Sequence, residues 1–236
     1  MSDGKFNLCV YRSLMVDKNI YSISAVLFDM DGVITDTMSY HMKAWKIVLK
    51  RYGLNVNRND IYKREGQKGI HSIEEIFKEH GHDFNMDLGK KILKEKEEYF
   101  KIIVKRRFIS GSRTFLKLLR QKGFLLGLVT GTARNEVRKI LPDHIFSLFD
   151  SVVSGCDVQN GKPHPEPYLT ALKNLKIKAH QAIVIENAPF GIQSSKSAGI
   201  RCLAIETSLP KEYLTNADGI YQSYAHLFSK TAFELL

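Results

Sequence analysis

The sequence predicts an α/β fold, a doubly wound parallel sheet with an inserted α-helical cap. Three observations carry this. Short apolar runs recur along the chain, and the three strongest stop at a polar residue: Asp29, Thr130 and Glu186. From about residue 110 onward, amphipathic helical patterns separate the runs, and strand alternating with helix implies a parallel sheet. Between 38 and 107 only helical spacings occur.

The first run, Ala25-Val26-Leu27-Phe28, is continuously apolar, as expected of a strand buried on both faces. Trp45, Val48, Leu49 and Tyr52 then fall at i, i+3, i+4, i+7, and Gly53 closes that helix. Ser72 and Glu75 have the form of a capping box, with Gly81 ending the next helix. A charged stretch over 87–106 keeps Ile92, Tyr99, Ile102 and Ile103 at helical spacings. Together these form a cap of about 70 residues, 38–107, between the first and second strands of the sheet. The core takes 21–37 and 108–236. Residues 1–20 are an extension of unassigned role, with Met15 standing as an alternative start.

In the core, Phe115, Leu116, Leu118 and Leu119 make an apolar stripe that stops at Gly123. The second strand covers 124–129. Val137, Ile140 and Leu141 mark a helix before Pro142, and a weaker strand spans 151–154. Tyr168, Leu169, Leu172 and Leu175 follow Pro167. The third strong strand covers 182–185, a helix over 192–198 stops at Gly199, and a weaker strand spans 202–205.

The 236 residues suffice for one sizeable core with a smaller satellite. With 44% hydrophobic and 25% charged residues, a disordered chain, a collagen-like repeat and a coiled-coil rod are excluded. The formal charge of +10 favours anionic partners, whether phosphorylated metabolites, nucleic acid or a membrane surface. No glycine–aromatic RNA motif or zinc-finger spacing supports a non-catalytic nucleic-acid binder. No segment approaches about 18 apolar residues, so no membrane span is expected. Cys9, Cys156 and Cys202 are odd in number and far apart. They fit a reducing, cytoplasmic compartment, with Cys156 and Cys202 as buried thiols. A monomer is the favoured assembly.

In open α/β sheets the ligand lies outside the carboxyl ends of the strands, so the residues at those ends should converge. The first end reads Phe28-Asp29-Met30-Asp31-Gly32. Asp29 at the strand tip can attack phosphorus. Gly32 lets the chain turn and bring Asp31 over the same site as a general acid and base. Thr130-Gly131-Thr132 offers a hydroxyl and backbone N–H groups ahead of a helix, a phosphate cradle. Lys162, in a proline-rich loop, supplies a point charge for a phosphoryl oxygen and for Asp29. Glu186 and Asn187 place oxygens where a hard cation such as magnesium could bind. Each element alone has a bland reading as a loop, a cap or a solvated charge. The ordered set does not.

That set resembles the haloacid dehalogenase superfamily and, within it, the β-phosphoglucomutase-like phosphatase subgroup. The match runs from about residue 25 to 205, including a helical cap in the position that subgroup uses. The resemblance implies a Mg2+-dependent enzyme acting on a small phosphorylated metabolite. Asp29 would be the nucleophile, with a carboxylate oxygen on magnesium. Asp31 would be the acid/base, with its carbonyl on the metal. Thr130 and Lys162, helped by Gly131 and Thr132, would hold the phosphoryl, and Glu186 and Asn187 would complete the metal site.

The chain departs from the family pattern at Asn187 and in the cap loop, and resembles the mutase subgroup at the hinge around His41. Asn187 stands where the family usually has Asp, which implies weaker magnesium binding. His41 falls in the hinge region and could assist Asp31. The subgroup's mutases carry a K-G-x-x-R phosphate loop in the cap, whereas this chain reads Glu65-Gly66-Gln67-Lys68-Gly69. Arg64, Lys68 and His71 are the nearby cations able to compensate. The lost cations favour hydrolysis over β-phosphoglucomutase chemistry. Glu65 leaves a pyrophosphatase as a minor reading, through an extra metal ion.

Overall fold

The computed structural model describes residues 18–64 and 67–236. Six parallel strands form the main sheet: β2 (Ala25–Phe28), β3 (Leu125–Val129), β4 (Ser151–Val153), β5 (Ala182–Glu186), β6 (Arg201–Ile205) and β7 (Gly219–Tyr221). Their spatial order is β4-β3-β2-β5-β6-β7. The chain leaves β2 in one direction, through β3 to β4, and returns on the other side at β5. The switch point therefore lies at β2, where a crevice opens above the strand ends.

Alternation along β2 explains why the sheet is covered on both faces. Val26 and Phe28 pack with Phe115, Leu119 and Ile140 on one side. Ala25 and Leu27 pack with Tyr168, Leu172 and Ile192 on the other. The first face receives α5 (Ser112–Gln121), α6 (Arg134–Ile140) and α10 (Tyr224–Lys230). The second receives α8 (Glu166–Leu175) and α9 (Pro189–Ser197). Full burial of Phe28 contributes on the order of 2–3 kcal/mol.

Between β2 and β3 lie α1 (Met38–Arg51), α2 (Arg58–Tyr62), α3 (Gly69–Glu79) and α4 (Met86–Ile103), with no strand among the described residues there. They share a separate apolar cluster that includes Trp45, Leu49, Ile73 and Ile92. The short helix α7 (Asp143–Phe146) follows α6.

Several expectations are corrected. Ser72 does not cap its helix: α3 starts at Gly69 after Lys68, and Ser72 Oγ donates to Gln67 Oε1 at 3.0 Å. The helix expected over 87–106 stops at Ile103. Cys156 is exposed, whereas Cys202 is buried as expected. Cys9 and Met15 lie outside the described residues. Asn19 and Ile20, read as part of the extension, begin β1 (Asn19–Ile23), which pairs in parallel with β8 (Thr231–Leu235). Strands β1, β7 and β8 and helix α2 were not foreseen. No helix among the described residues is long and apolar enough to cross a membrane.

Candidate active site

Register brings the chemistry to one level. Phe28 pairs with both Leu128 and Ile185, so Asp29 emerges beside Val129 and Glu186. The Asp29 amide donates to Ile185 O at 3.1 Å, and the Thr130 amide donates to Val153 O at 2.9 Å. Asp29, Asp31, Thr130, Gly131, Thr132, His41 and Lys68 line one cavity of about 270 Å³ between the strand ends and the cap helices.

Beneath that cavity lies a buried charge cluster. Lys162, only 1% exposed, donates through Nζ to Asp29 Oδ1 at 2.6 Å, Glu186 Oε1 at 2.7 Å and Val129 O at 3.1 Å. Burial alone would lower the Lys162 pKa, but the Asp29 and Glu186 carboxylates hold it well above the ordinary lysine range. Asp29 is pushed up to about 8, first by burial, against the pull of Lys162 and with the repulsion of Glu186 and Asp31. One shared lysine cannot neutralise three carboxylates. Asp29 Oδ2 is buried and has no hydrogen-bond partner among the described residues.

Glu186, expected as a metal ligand, has both oxygens engaged within the protein. Oε1 accepts from Lys162 and from Tyr168 OH at 2.9 Å, and Oε2 accepts from the Asn187 amide at 2.9 Å. A Cβ on Gly191 would sit 1.7 Å from Glu186 Oε1, so only glycine lets α9 approach this carboxylate. Glu186 thus aims Lys162. Asn187 Nδ2 donates to Ser208 Oγ at 2.8 Å. Gly32, at φ +84°, brings the first loop against that amide, where a Cβ would lie 2.1 Å from Nδ2.

Asp31 is held from three directions. Oδ1 accepts from Thr37 Oγ1 at 2.5 Å and His41 Nε2 at 3.3 Å, and Oδ2 accepts from Thr132 Oγ1 at 3.0 Å. Burial would raise its pKa, but the His41 charge and these hydrogen bonds outweigh burial and hold it at about 2. The Thr132 amide, expected to meet phosphate, donates instead to Thr130 Oγ1 at 3.1 Å.

Two contributors were missed in the sequence. Thr37 is one. The other is Lys96 on α4, 8% exposed, whose Nζ donates to His41 Nδ1 at 3.0 Å. That bond assigns the other ring nitrogen, Nε2–H, to Asp31. Lys96 also lies 5.1 Å from the Trp45 ring centroid and 5.0 Å from that of Phe100. Burial first, and then Lys96, lowers the His41 pKa. The available signal was helix phase: Ile92, Lys96 and Phe100 fall at i, i+4, i+8 on the buried face of α4.

Of the cap cations expected to compensate in binding phosphate, Lys68 and Arg64 are committed elsewhere. Lys68, a candidate phosphate ligand, donates through Nζ to Val158 O and Gln159 O, both at 2.7 Å. It joins the cap to the loop carrying Lys162. Arg64 is salt-bridged to Glu75 and Glu79, and His71 is exposed. Glu65 lies outside the described residues.

The pattern of the haloacid dehalogenase-like hydrolase family matches residues 26–205. This chain belongs to that family. The Thermotoga maritima protein named phosphorylated carbohydrates phosphatase is 32% identical over 75% of this chain and 82% of its own length. The β-phosphoglucomutase of Bacillus subtilis is 27% identical over 80% of this chain and 85% of its own. The crystal structure of Clostridium difficile β-phosphoglucomutase superposes with a TM-score of 0.75 at 26% identity, covering 85% of this chain and 91% of that one.

Proposed function

We propose that this family member is a magnesium-dependent phosphatase that hydrolyses a small phosphorylated metabolite, such as a sugar phosphate, through an aspartyl-phosphate at Asp29. One observation carries the reading: Asp29 at the tip of β2, with Oδ1 on the buried Lys162 and Oδ2 unbonded among the described residues. A phosphatase relative at 32% identity supports it.

The donor set fits a divalent cation. Asp29 and Glu186 share one lysine, Asp31 brings a further carboxylate to the same cavity, and Asp29 Oδ2 lacks a hydrogen-bond partner among the described residues. Asp29, the Asp31 carbonyl and the Asn187 side-chain oxygen would hold the ion, with Glu186 acting through Lys162. When bound, magnesium supplies charge neutralisation of the phosphoryl group.

The chain's own groups supply the rest. An Asp29 oxygen attacks phosphorus, the ester P–O bond breaks, and Asp31 gives its proton to the departing alkoxide. Asp31 then takes a proton from water as the water oxygen attacks phosphorus, and the Asp29–phosphorus bond breaks to release phosphate. The Asp31 carboxyl, low in the resting site, must rise to hold that proton. A dianionic phosphoryl group opposite it pushes in that direction. His41, aligned by Lys96, supports Asp31 through Nε2. Lys162 and Thr130 position the phosphoryl.

β-Phosphoglucomutase activity is the second reading, favoured by the mutase relative. The commitment of Arg64 and Lys68 to internal bonds speaks for hydrolysis. Incubation with β-glucose 1-phosphate, a bisphosphate primer and magnesium separates the two. Released phosphate is expected, and glucose 6-phosphate without released phosphate overturns the phosphatase. Asp29→Asn is expected to abolish turnover of the best substrate in a phosphate-ester panel. Undiminished turnover removes the aspartyl-phosphate.

A further inference from the structure

The cap wall of the cavity, remote from Asp29, carries a cation that is present but neutralised. Arg64 lines this wall with a side chain only 2% exposed. Its Nε donates to Glu75 Oε2 at 3.0 Å, Nη1 donates to Asp60 O at 2.6 Å, and Nη2 pairs with Glu79 Oε1. Glu75 Oε1 also accepts from Gln67 Nε2 at 2.8 Å, and Lys63 Nζ reaches Glu79 at 3.3 Å. Two carboxylates, one of them shared with Lys63, thus pair with the buried guanidinium. The other described cations on the cavity, Lys68 and Lys96, are bonded to loop carbonyls and to His41. Met38, Trp45, Ile70 and Leu93 make much of the remaining wall apolar.

We propose that Glu75 and Glu79 determine specificity: by masking Arg64 they make this enzyme select monophosphate esters whose remainder is uncharged, and reject substrates with a second anionic group. The inference rests on the phosphatase reading above. A carboxylate or second phosphate at this wall would lose water beside apolar side chains and find Arg64 already paired with Glu75 and Glu79, which leaves that desolvation uncompensated. A hydroxylated or partly apolar remainder avoids that penalty.

Matched pairs test this. Glycerol 3-phosphate and 3-phosphoglycerate share a skeleton and differ by CH2OH against carboxylate. Glucose 6-phosphate and 6-phosphogluconate make a second pair. Each is assayed for kcat/KM and for competition with p-nitrophenyl phosphate, so that slow substrates are ranked too. The neutral member is expected to win by about tenfold or more. Equal or better use of the anionic member overturns the inference while leaving the phosphatase standing. If no ester is hydrolysed at all, the phosphatase reading falls and takes the inference with it.

Glu75→Gln combined with Glu79→Gln is expected to move the anionic-to-neutral ratio up by about tenfold, and adding Arg64→Met to cancel the gain. A ratio taken within one preparation is insensitive to the folded fraction, so a purely structural role would not move it. Glu75→Gln alone gives a smaller shift in the same direction. An unchanged ratio in either variant refutes the masking.

Discussion

Asp29→Asn is expected to stabilise the metal-free protein at alkaline pH while abolishing turnover. The Asp29 carboxyl is raised from 3.8 to about 8, first by burial, and its single lysine is shared with Glu186. A carboxyl whose folded pKa lies above its unfolded value keeps its proton longer in the folded state. Its contribution is complete below about pH 4 and is lost as pH climbs through about 8. At 1.36 kcal/mol per unit, the three units between pH 5 and 8 correspond to on the order of 4 kcal/mol. Urea unfolding in EDTA at both pH values, followed by circular dichroism and by the fluorescence of Trp45, the one tryptophan, measures this. Wild type is expected to lose stability across the interval and the Asn variant to lose much less. Magnesium at 100 times its dissociation constant returns about 2.7 kcal/mol to wild type. An Asn variant less stable than wild type at pH 8 in EDTA would refute the charge accounting.

Lys162→Met leaves the Asp29 and Glu186 carboxylates buried without their cation; destabilisation of about 3–5 kcal/mol and a loss of about 10²–10³ in kcat are expected, read by thermal melting and turnover. Lys96→Met removes the cation that depresses His41, so the His41 pKa is expected to rise and the acid limb of the kcat profile to move to higher pH. NMR titration of His41 alongside the pH–rate curve checks both, and an unmoved imidazole counts against the Lys96 role. Asn187→Asp adds a carboxylate to the proposed magnesium site and is expected to tighten the metal; equal affinity by calorimetry would detach Asn187 from that site.

Strands β2, β3 and β5 were legible because burial on both faces demands continuous apolar residues, and their ends mark the site directly. Strands β1 and β8 were not. Their sequences, NIYSI and TAFEL, mix polarity as half-exposed strands do, and each finds its partner some 200 positions away in the chain. The false capping box arose because Ser-x-x-Glu also fits a helix interior. There Ser72 turns its hydroxyl to Gln67 rather than to a backbone amide. Direction was the other hidden quantity. Residue type made Glu186 a plausible metal ligand, but only the fold shows both oxygens turned onto Lys162, Tyr168 and the Asn187 amide. Lys96 was concealed by its acidic and basic neighbours in LKEKEEYF, although its phase on α4 placed it among buried residues.

The cavity's two ends solve opposite electrostatic problems. At the strand ends Asp29 and Glu186 share one lysine and Asp31 adds a further carboxylate, so a phosphoryl dianion is repelled unless a divalent ion compensates. At the cap, Arg64 is offset by two glutamates and Lys68 is spent on two carbonyls. Neither end offers a free cation among the described residues, despite a net charge of +10 over the chain. The global charge can raise the local concentration of phosphorylated metabolites, but it does not choose among them. On the proposed reading, selection falls to a divalent ion at one end and to the absence of an open anion site at the other. That division favours removal of a single phosphate over its passage between two positions.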